Sequence, residues 1–266
     1  MTAPVLVDVD EGVAWVTLNR PDRGNAINQP MADALVNCAL RCANDPAVRC
    51  VVLTGAGRLF CAGGDIGDFA ENDLGTPAFL GKLAGTVHQA MTVFAAMQKP
   101  LVCLVNGPAA GAGLSLAISG DIVLADPAAH FTAAYLGIGL TPDGGMTWLL
   151  PRLVGLRVAQ EMILTNRRIE AEEAARIGLV TRTVETGQLM DEGRATAQRL
   201  SEGAVTSMGS ARRLLQESFG SGFATQMDRE LASISAAGDR PEGREGIAAF
   251  LDRRKPDFRA AGTSDA

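Results

Sequence analysis

Apolar and polar positions along this chain follow two rhythms in turn. Residues 5–9 and 13–18 alternate in the manner of strands around a turn at Glu11-Gly12. The apolar runs 50–53, 101–105 and 122–125 predict three further strands. Between them, residues 30–44 and 74–97 repeat apolar positions at helical spacing, the second placing Leu80, Leu83, Val87, Met91 and Phe94 on one face. A shorter helix is expected over 113–119, and the Gly75 to Gly81 stretch reads as a mobile lid. From residue 158 the helical rhythm takes over, predicting helices at 158–164, 170–177, 188–202, 205–218, 223–236 and 242–251, interrupted by a strand at 179–184. Strands alternating with helices imply an α/β domain with right-handed crossovers. The expected division is an α/β core over 1–200 and a helical region over 201–266, with disorder at 260–266. That tail carries Leu214, Leu215, Phe219, Phe223, Leu231 and Ile234 but no core of its own, so it should pack on the core or on another subunit.

Composition narrows the class of partner. Hydrophobic residues make up 47% of the 266 and charged residues 20%, as in an ordinary globular chain. A net charge of −6 argues against nucleic acid, which is bound through a basic surface. No uncharged stretch reaches the roughly 18–20 residues of a membrane helix, and residues 1–10 show no export signal. A cytoplasmic location without membrane attachment is therefore expected. Cys38, Cys42, Cys50, Cys61 and Cys103 are irregularly spaced and lack partners for a metal site, so buried free thiols are expected. There is no P-loop, no Gly-x-Gly-x-x-Gly after a strand and no His-Glu-x-x-His. Nucleotide hydrolysis, nicotinamide chemistry and zinc catalysis lose ground accordingly.

What remains is a pair of glycine-rich turns, each following an apolar strand. The first is Phe60-Cys61-Ala62-Gly63-Gly64-Asp65-Ile66, and the second runs from Asn106-Gly107 to Gly111-Ala112-Gly113-Leu114 and opens a helix. Such turns leave backbone N–H groups without internal partners, and small residues let a ligand's carbonyl approach them closely. Two donors aimed at one oxygen stabilise the negative charge that develops on it.

The two turns resemble the paired signatures of the crotonase (enoyl-CoA hydratase/isomerase) superfamily. Leu18-Asn19-Arg20-Pro21 with Asn25-Ala26, Lys99-Pro100, Asp121-Ile122 and the segment from Phe250 to Lys255 match its further features in the right order. The resemblance implies a ββα spiral core with a C-terminal helical trimerisation region, assembled as a homotrimer or a hexamer of two trimers. It implies an acyl-CoA thioester as substrate, with coenzyme A arriving as part of it and no permanently bound cofactor or metal. The backbone N–H groups of Ala62 and Ala112 would then hold the thioester oxygen. Arg23, Ala62, Asp65, Ile66, Phe250 and Arg253 would contact the coenzyme A portion, the last two across a subunit boundary.

The chain departs from the family's hydratases at two positions. Where those enzymes carry glutamates that position water, this chain has Ser115 and Tyr135, neither of them a base near neutral pH. A carboxylate does occur at Asp143, in Thr141-Pro142-Asp143-Gly144-Gly145. By pattern it is a turn residue or helix N-cap; by resemblance it matches the base of enoyl-CoA and dienoyl-CoA isomerases. His88 is by pattern a packed or surface residue of an amphipathic helix. In the family's 4-chlorobenzoyl-CoA dehalogenases a histidine there activates water, with Trp in place of Tyr135 and a nucleophilic Asp in place of Asp143. An isomerase using Asp143 is the leading expectation. Enoyl-CoA hydratase, arylacyl-CoA dehalogenase or hydrolase, and non-catalytic acyl-CoA binder are the alternatives.

Overall fold

The computed structural model describes residues 3–70 and 72–262. β1 (Val5–Asp10) and β2 (Val13–Leu18) pair antiparallel, joined by Glu11 and Gly12, both with positive φ. A 3-10 turn (Pro21–Arg23) leads to α1 (Gln29–Asn44), whose first turn is capped by the Asn28 side chain accepting the Met31 N–H at 3.1 Å. β3 (Cys50–Gly55) lies parallel to β2 and is followed by α2 (Ile66–Ala70) and α3 (Thr76–Ala96). β4 (Leu101–Val105) lies parallel to β3, and leads through β5 (Ala109–Ala110) into α4 (Ala112–Ile118). β6 (Ile122–Ala125) lies beside β4 and leads to β7 (His130–Thr132), a 3-10 turn (Tyr135–Ile138), α5 (Met146–Val154) and α6 (Leu156–Thr165). Then come β8 (Ile169–Glu170), α7 (Ala171–Arg176), β9 (Arg182–Thr183) and α8 (Leu189–Ser201). The chain closes with α9 (Val205–Ser218), α10 (Phe223–Asp239), α11 (Pro241–Leu251) and α12 (Phe258–Gly262).

Successive turns of chain each place one strand in a large sheet and one in a small layer. The large sheet runs β1-β2-β3-β4-β6-β9, and the small one β5-β7-β8. Bridges between Cys61 and Ala109 and between Ile27 and Gly64 extend the small layer back through the first two turns. This is the ββα spiral that the family resemblance implies. Both faces of the large sheet are covered, which is why β3 and β4 are continuously apolar. Val51, Leu53, Leu101 and Cys103 belong to the main core together with residues of α1, α3 and α4, while Val52, Val102, Leu104 and Leu124 pack with Leu189 and Ala197 of α8.

The structure corrects several expectations. β5, β7 and β8 are only two or three residues long, too short for an alternation to show in sequence. The strand expected over 179–184 contracts to β9. Residues 76–81 are the opening turns of α3, with Gly75 at its N-cap (φ 76) and Pro77 in the first turn, so no loop lies there to act as a lid. Residues 258–262 form α12 where disorder was expected to begin at 260; the rest of that expected stretch, 263–266, lies outside the described residues.

In the helical region α9 buries Val205, Gly209, Ser210 and Arg212 against the core, whereas α10 buries none of its residues. Phe223, Met227, Leu231 and Ile234 of α10 are all exposed. Among the described residues, no helix is long and apolar enough to cross a membrane.

Candidate active site

Two turns leave the C-terminal ends of β3 and β4 side by side, stitched through their backbones. The N–H groups of Phe60 and Cys61 donate to Pro108 O at 3.1 and 3.2 Å, and the Ala110 N–H donates to Cys61 O at 2.9 Å. Glycine is required where the turns cross. A Cβ on Gly107 would sit 2.0 Å from Arg58 O, and one on Gly113 would sit 2.2 Å from Cys61 O. Asn25 fixes the first of these turns from the preceding turn of the spiral. It is fully buried and left-handed (φ 56), and its amide nitrogen donates to the carbonyls of Ala56, Leu59 and Phe60 at 2.8–3.2 Å.

The donors that this arrangement leaves free differ in part from those expected. The Ala62 N–H is engaged by Gly24 O at 2.9 Å, so it cannot also hold a ligand oxygen. The Gly63 N–H points at Cys61 Sγ, 3.4 Å away. Among the described residues no acceptor is found for the Gly64 N–H in the first turn, nor for that of Ala112, the first residue of α4. The reason is strand geometry. Gly64 bridges Ile27 in parallel, and there the bonds are made by its neighbours, Ile27 N–H to Gly63 O and Asp65 N–H to Ile27 O. Gly64's own N–H is left facing the other way. The two turns touch: a Cβ on Gly63 would lie 3.6 Å from Ala112 N. The Phe69 ring of α2 covers Gly64, where a Cβ would meet its Cζ at 2.5 Å.

Ser115, Tyr135, Asp143 and His88 converge beside the second turn. A Cβ on Gly111 would sit 3.9 Å from Tyr135 Cζ, which places the phenol ring against the turn that ends in Ala112. The Tyr135 hydroxyl donates to Asp143 Oδ1 at 2.5 Å. Burial, and then the Asp143 charge, push the phenol far above the ordinary tyrosine range, so it stays a protonated donor. Ser115, buried in α4, donates its hydroxyl to the Asp143 carbonyl at 3.0 Å. His88 projects from α3, with Nε2 accepting the Gly144 N–H at 3.0 Å and lying 3.4 Å from Asp143 Oδ2. The Asp143 side chain is 28% exposed, open enough to be reached by a ligand. All five cysteines are buried and free. Burial pushes the Cys61 thiol, in the first turn itself, up to about 12, so it supplies no nucleophile.

The residues expected to meet coenzyme A are more dispersed. Arg23 is exposed on the 3-10 turn, and Ile66 is exposed at the start of α2, two residues past Gly64. Asp65 is paired with Arg20 at 2.9 Å, tying the first and second turns of the spiral together. Phe250 and Arg253 lie at the exposed end of α11, and no hydrogen bond among the described residues joins them to the two turns. Sequence reasoning did not single out Gly64, or Arg20 as the partner of Asp65. The second glycine of Ala62-Gly63-Gly64-Asp65 was the available signal for Gly64.

Comparisons with known proteins match nearly the whole chain. The enoyl-CoA hydratase/isomerase family model matches residues 8–261. A 1,2-epoxyphenylacetyl-CoA isomerase of Escherichia coli (strain K12) is 37% identical over 255 residues, covering 96% of this chain and 97% of that protein. A short-chain-enoyl-CoA hydratase of Clostridium acetobutylicum is 34% identical, covering 94% and 95%. The crystal structure of an enoyl-CoA hydratase from Polaromonas sp. JS666 superposes with a TM-score of 0.90 at 30% identity, covering 95% of this chain and 98% of that one.

Proposed function

The chain belongs to the enoyl-CoA hydratase/isomerase family, and from that premise we propose that it is an enoyl-CoA isomerase with Asp143 as its base. The substrate is an acyl-CoA thioester whose coenzyme A portion is carried in with it. Its carbonyl oxygen sits between the amides of Gly64 and Ala112. Asp143 takes a proton from the α-carbon of a 3-enoyl-CoA, and the C–H electron pair moves into a dienolate whose oxygen the two amides hold. The same carboxyl group returns the proton at the γ-carbon, leaving the double bond shifted. Loss of one such oxyanion donor in other enzymes costs about 2.7–4 kcal/mol of transition-state stabilisation.

The observation that carries this reading is the company Asp143 keeps. Ser115 and Tyr135 occupy the positions where hydration needs carboxylates, and both donate to Asp143. One carboxylate beside the amide pair suffices to shuttle a proton, whereas adding water calls for a group that activates it. The name of the Escherichia coli relative supports an isomerase; that of the Clostridium relative supports the second reading, a hydratase. Assembly is proposed as a homotrimer or a hexamer, in which Phe250 and Arg253 reach a neighbouring subunit's ligand.

The test is turnover of an enoyl-CoA panel in heavy water. Double-bond migration with solvent deuterium in the product is expected, and Asp143→Asn should lower kcat by about 10²–10⁴-fold. Unchanged turnover in that variant, or formation of 3-hydroxyacyl-CoA from crotonyl-CoA at an ordinary rate, would overturn the assignment. Halide release through an aspartyl ester would point to the dehalogenase, and tight binding without turnover to the non-catalytic binder.

A further inference from the structure

The peptide unit joining Asp143 to Gly144 is gripped at both ends by side chains. Its carbonyl accepts the Ser115 hydroxyl, and its N–H donates to His88 Nε2, each at 3.0 Å. It is also wedged sterically. Gly144 has φ +61, and a Cβ there would lie 2.9 Å from Ser115 Cβ and 3.3 Å from Met91 Sδ. One backbone bond, from the Met146 N–H at the start of α5 to Asp143 O at 3.2 Å, also holds the segment, in which Gly139, Gly144 and Gly145 all have positive φ. On the Gly144 side the peptide is held by His88 and the Gly144 wedge, and the carboxylate itself by the Tyr135 hydroxyl, so these side chains share in aiming Asp143.

A neutral imidazole carries one donor and one acceptor nitrogen, and the partner of either fixes the tautomer. An N–H pointing at Nε2 assigns the lone pair to that atom and the proton to Nδ1. Nε2 is also the ring atom facing Asp143 Oδ2. The nitrogen that would have to take a proton from water is already filled as an acceptor.

We infer that His88 is a positioning residue: as the Nδ1–H tautomer it holds the Gly144 amide and so aims Asp143 at the substrate carbons. It acts neither as a base for water nor as a proton donor to Asp143. The inference rests on Asp143 being the base of the isomerisation.

Substitution by glutamine decides it, because a glutamine carbonyl can accept the Gly144 N–H from about the Nε2 position but cannot shuttle protons. His88 is half-exposed, so its variants should fold. His88→Ala is expected to lower kcat about 10–100-fold, the scale of a slightly misplaced catalytic group, with KM within about twofold. His88→Gln should recover most of that loss. Equal losses in the two variants would overturn the inference. Nitrogen-15 NMR of the imidazoles gives a readout independent of activity, and the chain has only two histidines to assign, His88 and His130. An Nδ1–H, Nε2-acceptor tautomer at His88 is expected; a proton on Nε2 in the resting enzyme would refute it. Asp143→Asn run in parallel separates the two claims. Normal turnover in that variant defeats the isomerase reading, whereas an inactive Asp143→Asn beside an unrescued His88→Gln defeats the positioning role alone.

Discussion

Tyr135 is the chain's only tyrosine, and its hydroxyl points at a carboxylate from a mostly buried ring. Ionising it would place a second negative charge beside Asp143 in a poorly solvated site. In the unfolded chain the phenol ionises near pH ~10. The folded state holds it well above that, with burial the larger cause and the Asp143 charge the smaller. The protonated form is thus the one the fold favours. Its contribution to stability is intact below pH ~10 and is lost as pH climbs beyond it. Alkaline titration should therefore show the phenolate absorbance appearing together with unfolding, and Tyr135→Phe should lessen the loss of stability above pH ~10. A phenolate band rising reversibly near pH ~10 in the folded protein would show the hydroxyl to be free. At this scale Ser115, Tyr135, Asp143 and His88 were legible because each falls at a fixed spacing from a recognisable turn or strand. Ala62 was misassigned as a donor for a physical reason. A sequence reveals small residues in a turn, but which of three consecutive amides faces inward is decided by Gly24 and Ile27, on another turn of the spiral.

Helix α3 carries His88, and its far end is anchored by α9. Arg212 donates to Phe94 O, in the last turn of α3, at 3.1 Å and to the carbonyl of Met97, which caps that helix, while its Nε meets the Asp121 carboxylate at 2.7–2.8 Å. Asp121 in turn accepts the Leu101 N–H at 2.7 Å, so one buried arginine ties α9 to α3 and to the start of β4. Arg212→Met removes a buried partner and leaves Asp121 and two carbonyls without it. Asp121 retains some solvent, so the expected cost is near the lower end for a broken buried pair, about 3 kcal/mol. Calorimetry should find a Tm lowered by about 6–12 °C; a Tm within a degree of wild type would contradict the anchoring. The long helices α1, α3 and α8 to α11 were readable because several turns of periodicity accumulate in each. Arg212 was not, since an arginine on an amphipathic helix reads as a solvated face until its partners, distant in sequence, are known.

At the scale of the whole molecule, the helical layer α9 to α12 leaves apolar surface exposed among the described residues. α10 buries nothing, and Phe223 and Ile234 are 83% and 72% exposed with Met227 and Leu231 between them. An apolar face of that kind suits the proposed assembly. Sedimentation should give a trimer or hexamer, and Leu231→Glu with Ile234→Glu should shift it towards monomer. A wild-type monomer at micromolar concentration would sink the assembly reading. The backbone stitching of the two turns has a wider consequence. In the proposed mechanism the part that holds charge is main chain, the amides of Gly64 and Ala112, while the part that moves protons rests on a few replaceable side chains. On that reading the first comes with the two turns themselves, and substitution at Ser115, Tyr135, Asp143 or His88 would alter the second. Whole-length resemblance therefore reports a shared scaffold, and on the proposed reading the choice of reaction falls to the side chains set beside it.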